Sequence, residues 1–162
     1  MITISVNYFS IMQPPPKNWP RIAPALFYDD AGKAIDWLCE AFGFEVRLRI
    51  EGEGGHIEHS ELDFGEGMIM VGDTRVRARR ENGVNARSPQ SLPDRANTQS
   101  LCIAVPDVDA HFEHAKKSGA KVISEPKTED YGDDYWADRT YEVEDLEGHR
   151  WWFMTRVREQ GQ

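Results

Sequence analysis

Cysteine is nearly absent from this chain of 162 residues, which holds two, Cys39 and Cys102. Both lie inside apolar periodic segments and not in a spaced framework. No disulfide scaffold and no zinc knuckle is therefore expected, and both read as buried free thiols of a reducing compartment. Positive charge is the second shortage. Lys and Arg number 19 against 28 Asp and Glu, for a formal net charge of -9. A chain that neutralises phosphates needs clustered bases, so nucleic acid is not expected as a partner. Long apolar runs are missing as well, and no stretch reaches membrane-spanning length. The opening MITISVNYFSIM lacks the basic start, apolar core and cleavage site of a secretory signal. These shortages predict a cytoplasmic protein, kept dissolved by an acidic surface and without a membrane partner.

The first twenty residues offer two things. Ile2, Ile4, Val6 and Tyr8 alternate with Thr3, Ser5 and Asn7 at the period of a strand. QPPPKNWP then reads as a stiff extended linker. Residues 1–20 are thus an extension, and the compact domain begins near Arg21.

Beyond it the chain repeats itself. ALFYDDAGKAIDWLCEAFGFEV from Ala25 and CIAVPDVDAHFEHAKKSGAKV from Cys102 share one order: apolar strand, Asp turn, amphipathic helix, glycine, strand. In the first copy Asp29 or Asp30 can cap a helix whose buried stripe is Ala34, Ile35, Leu38 and Phe42, with Gly43 ending it. In the second, Asp107 or Asp109 caps, Val108, Phe112 and Ala115 face inward, and Gly119 stops the helix. HSELDFGEGMIMVGD then matches RTYEVEDLEGHRWWF, each a strand, a turn holding Glu-Gly and a further apolar strand. Each copy is a βαβββ unit, one over 21–73 and the other over 99–157. The segment 74–98 between them is polar and carries six arginines; it reads as a mobile, solvated connector.

The phrases FYDDAGKAIDWLCEAFGFEV, HSELDFGEGMIMVGD and EDLEGHRWWF, in tandem, resemble the vicinal oxygen chelate superfamily, the glyoxalase and bleomycin-resistance fold, and are most similar to its bleomycin-resistance and PhnB-like members. The resemblance covers 21–157. It implies an α+β fold of two tandem βαβββ units, whose curved mixed sheets surround a cleft, and a homodimer. In metal-using members the ligands stand on the first and last strands of each unit. The resemblance puts those positions at Ala23, Val71, Ser100 and Trp152, which supply no ordinary metal ligand. Strand alternation puts Ala25, Phe27, Ile69 and Val71 of the first unit on the cleft side. Cys102, Arg150, Trp152 and Met154 are the cleft residues of the second, while Trp151 and Phe153 point to the core.

Candidate chemistry is sparse. His59 and Glu61, two apart on a strand, share a face that Leu62 and Phe64 leave open, and are the candidate catalytic acid-base pair. His111 and His114 fall on an exposed helix face. Phe27, Cys102, Trp136, Arg150, Trp152 and Met154 are the candidate ligand-binding residues, since aromatic faces with few polar anchors suit planar or cationic organic ligands. The expected function is metal-independent binding of a small molecule, with no cofactor, sequestering a cationic or aromatic compound. The alternative is a metal-dependent lyase or dioxygenase of the same superfamily, with a divalent ion in an altered site near His59 and Glu61.

Overall fold

A computed structural model describes residues 13–78 and 85–161; the strand expected within the first twelve residues lies outside them. The first unit runs β1 (Ala25–Tyr28), α1 (Ala31–Phe42), β2 (Glu45–Glu51), β3 (Ile57–Phe64) and β4 (Gly67–Asp73). The second runs β5 (Ser100–Ala104), α3 (Val108–Lys117), β6 (Lys121–Asp130), β7 (Ala137–Glu144) and β8 (Arg150–Arg158), with α2 (Thr74–Ala78) in the connector. Two four-stranded sheets result, in the orders β1-β4-β3-β2 and β5-β8-β7-β6. In each, the first strand pairs parallel to the last and the other pairs are antiparallel. This is the tandem βαβββ architecture read from the repeats. No helix among the described residues is long and apolar enough to cross a membrane.

Local chemistry sets the elements. The Asp30 side chain accepts from the Lys33 backbone N–H at the start of α1, and Gly43 closes that helix in the left-handed conformation, which costs glycine nothing. Asp107 caps α3 by accepting from Asp109 and Ala110. The stripes these caps orient are buried against each other and against one face of both sheets. Ile35, Leu38 and Phe42 of α1, Phe112 of α3, Leu62 and Val71 of the first sheet and Trp151 and Phe153 of the second belong to a single core.

Two expectations need correcting here. Cys102 is exposed on β5, and Cys39 only partly buried. The connector is also more than a solvated linker. The Asp29 carboxylate at the β1–α1 turn accepts from Thr74, Gln90 and Ser91, pinning both ends of the connector. Polarity signals solvation only when the polar groups lack partners, and these side chains have one.

His111 is the third correction. It is half-buried where α3 meets α1, with Nδ1 2.6 Å from the Tyr141 hydroxyl and Nε2 3.1 Å from the Phe42 carbonyl. A carbonyl only accepts, so Nε2 carries the proton and Nδ1 accepts from Tyr141. Burial pushes its pKa down. An imidazole that holds its proton less tightly folded than unfolded makes the folded chain bind fewer protons, so its contribution is present above the unfolded pKa of about 6.5 and is lost as pH falls through the lower folded value. Urea titrations should therefore show the stability gap between wild type and His111→Gln narrowing from about pH 7 to about pH 5.5; a constant gap would contradict this.

The pair Trp151-Trp152 is split by alternation, Trp151 wholly buried and Trp152 40% exposed. Trp151→Ala should cost about 3–5 kcal/mol by denaturant unfolding, and Trp152→Ala clearly less. Exchanged effects would mean that β8 presents its other face to the core.

Candidate functional site

Because Leu26 and Tyr28 are buried in the core, Ala25 and Phe27 fall on the helix-free face of the first sheet. The register carries that face across the strands: Ala25 opposes Met70 and Phe27 opposes Gly72, Met70 opposes Glu61, and Glu61 and His59 oppose Leu48 and Ile50. Ile69 and Val71, expected here, are 5% and 1% exposed and belong to the core. The cause is turn length. The β3–β4 hairpin turns on Gly65 and Glu66, with Phe64 paired to Gly67, whereas Asp145 to His149 separate β7 from β8, with Glu144 paired to Arg150. Aligning the repeats by their Glu-Gly pairs displaces the first unit by one residue, and such a slip exchanges every face. Met70, not Val71, corresponds to Trp152.

The face holds a cavity of about 290 Å³ lined by Phe27, Ile57, His59, Met70, Gly72 and Arg77, among others. His59 Nε2 lies 3.0 Å from Glu61 Oε1, and Arg47 Nε 3.2 Å from Glu61 Oε2. Glu61, nearly buried, thus already holds two partners. Asp73, at the cavity edge, pairs with Arg75 at 2.7 Å and His56 at 3.4 Å. Burial disfavours its ionised form, but the Arg75 hydrogen bonds and the His56 charge more than offset this and hold its pKa below the usual carboxylate range.

The helix-free face of the second sheet carries Trp152, opposite Cys102 on β5 and Glu142 on β7. A cavity of about 370 Å³ is lined there by Trp152, Tyr131, Lys127, Glu129, Thr140 and Glu142, with Ser124. Arg150 is spent on Glu142 and Glu144, at 3.4 and 3.2 Å. Burial works against ionisation of Glu144, yet Lys121 and Arg150 keep its pKa below the ordinary value. Trp136 packs beside Tyr131 and Tyr135 in the β6–β7 turn, with the Arg156 guanidinium 5.2 Å from its ring. Cys102 lines a third, apolar groove between the units with Pro24, Phe44 and Met68. Met154 is half-buried on β8.

The candidate residues are therefore not one constellation in a single chain. His59, Glu61 and Phe27 share the first sheet; Arg150, Trp152 and Met154 share the second. The two sheet cavities have no residue in common. Met70 and Arg77 were missed in the sequence. Met70 was recoverable from the core pattern of Leu62 and Ile69, but nothing distinguished Arg77 from the other connector arginines.

The metal that the resemblance implies does not fit. A catalytic divalent ion needs three or four convergent imidazole, thiolate or carboxylate groups. Among the described residues no three His, Cys, Asp or Glu converge in that way. His111, whose ring nitrogens are both engaged, cannot chelate with His114, which contacts the Glu40 carbonyl.

Known proteins agree with this architecture. The model of the glyoxalase/bleomycin resistance protein/dioxygenase superfamily matches residues 21–153. Uncharacterised proteins of Mycobacterium bovis and Mycobacterium tuberculosis are 32% identical over 140 residues, covering 86% of this chain and 86% and 76% of theirs. Among solved structures, TioX from Micromonospora sp. ML1 is 30% identical with a TM-score of 0.63, covering 86% of this chain and 100% of its own. A lactoylglutathione lyase from Agrobacterium tumefaciens, 17% identical with a TM-score of 0.59 over 88% of this chain and 95% of its own, shares the fold. The chain belongs to the glyoxalase/bleomycin resistance protein/dioxygenase superfamily.

Proposed function

We propose that this protein is a metal-independent small-molecule binder that sequesters an aromatic compound on the helix-free faces of its sheets. One observation carries the reading: the residues paired at the centre of those faces are Ala25 with Met70 and Cys102 with Trp152. They offer a thioether, a thiol and an indole to stack on or pack against, and no cluster to grip a cation. The acidic groups beside Trp152 do not select a cation by themselves, since Glu129 pairs with Lys127 and Glu142 with Arg150.

A homodimer belongs to the same proposal. Leu48, Ile50 and Trp152 are 38%, 46% and 40% exposed, and a second copy would cover them by bringing one chain's first sheet against the other's second. Sedimentation should give a dimer at micromolar concentration; a monomer throughout would contradict it. The alternative, a lyase or dioxygenase using His59 and Glu61, has their 3.0 Å contact in its favour, but among the described residues no third His, Cys, Asp or Glu joins them.

Fluorescence titration tests the binding itself. Bleomycin-like aromatic compounds should quench tryptophan emission saturably, with the same midpoint with and without EDTA. Trp152→Ala should weaken the midpoint about tenfold or more, the scale of a stacking contact of 1–3 kcal/mol. No saturable quenching, or quenching that EDTA abolishes and a divalent ion restores, would contradict the proposal.

A further inference from the structure

The first-sheet cavity contains an arginine that is in no ion pair among the described residues. Arg77, on the helix α2 that follows β4, lines it together with Phe27, and its guanidinium carbon lies 5.9 Å from the Phe27 ring centroid. The Arg77 Nε is buried and has no hydrogen-bond partner among the described residues. The other arginines that line cavities are matched: Arg47 by Glu61 and Asp63, Arg95 by Glu144, Arg150 by Glu142 and Glu144. Of the acids that line the same cavity, Asp73 is held by Arg75 and His56. In a chain with a formal net charge of -9, a cavity guanidinium without a carboxylate is unexpected. An anionic group that enters a cavity with an apolar lining meets such a guanidinium with little competition from water, where charge-assisted contacts are strong.

The rest of the cavity fits what such an acceptor would be attached to. Phe27 lies over Gly72, where an added Cβ would come within 3.3 Å of the ring. The absence of a side chain there lets the ring sit against the strand, with the Arg77 guanidinium over it. Ile57, Met70 and Val76 complete an apolar wall. We propose that this cavity selects an anionic ligand, a carboxylate, sulfonate or phosphate on a planar apolar body. Arg77 holds the anionic oxygens with charge-assisted hydrogen bonds, and the body packs along Phe27 and Met70. This rests on the reading of the helix-free faces as small-molecule sites and specifies the ligand class of one of them. His59 lines the same cavity, with its Nε2 3.0 Å from Glu61 Oε1.

Calorimetric titration of the full chain with 2-naphthoate and with its neutral isostere 2-naphthamide tests the assignment. Wild type should bind the naphthoate about tenfold more tightly than the amide, the scale of one charge-assisted contact in a half-open site. Arg77→Gln should bring the two affinities together while leaving amide binding unchanged, and Arg77→Lys should keep a preference for the carboxylate. An unchanged melting temperature for Arg77→Gln would show that the loss is not one of folding. Equal affinities in wild type, or a preference that survives Arg77→Gln, would overturn the anion site and leave the small-molecule reading standing. Failure of both compounds to bind would overturn both.

Discussion

The arrangement depends on one buried carboxylate. Asp145, 3% exposed at the turn before β8, accepts from the Tyr28 hydroxyl at 2.6 Å and from the Trp151 indole at 2.9 Å. It also accepts from the successive backbone N–H groups of Glu147, Gly148 and His149. Tyr28 belongs to the first unit and Trp151 to the second, so the residue that shapes the turn also joins the repeats. A carboxylate can be buried only when its oxygens are satisfied, and here donors from both units satisfy them. Glu147 extends the joint by accepting from the N–H groups of Asp29 and Asp30. The Asp145 carboxylate also raises the pKa of Tyr28, behind burial as the main cause, so that hydroxyl stays a donor.

The layout of the helix-free faces follows from that joint through strand alternation. With Trp151 tied inward, its neighbour Trp152 must point to the helix-free face. The parallel pairing of β5 with β8 places Cys102 beside it. On the other sheet the buried Leu26 and Tyr28 send Ala25 and Phe27 outward. The Glu-Gly turn is thereby explained without chemistry of its own. Gly148 has a φ of 96°, and any Cβ there would meet the Arg95 guanidinium within 2.7 Å, because the connector lies across it.

The repeat, the helix caps and both core stripes were legible in the sequence because they depend on local rules: period 2 for strands, period 3.6 for helices, Asp before the helix and Gly after it. The face of β4 was not, because register depends on how long the preceding turn is, and two turns with the same Glu-Gly pair have different lengths. The connector misled for another reason. Thr74, Gln90 and Ser91 look unpartnered until Asp29 is placed next to them, and that neighbour is 45 to 62 positions away. His111 misled likewise: the spacing on α3 gave its helix, but only the packing of α1 against that helix supplies the Phe42 carbonyl. Within the candidate site, Phe27 and Trp152 could be placed from alternation alone. That they lie in separate cavities, and that Arg77 joins only the first, needs three-dimensional information.

The central claim is that the faces in this chain which correspond to the superfamily's metal positions grip no cation. Elemental analysis of protein purified without chelator tests it most directly. The account predicts far less than one transition-metal ion per chain, both as isolated and after incubation with Zn²⁺, Ni²⁺, Mn²⁺ or Fe²⁺ followed by desalting. One tightly held ion per chain would contradict it.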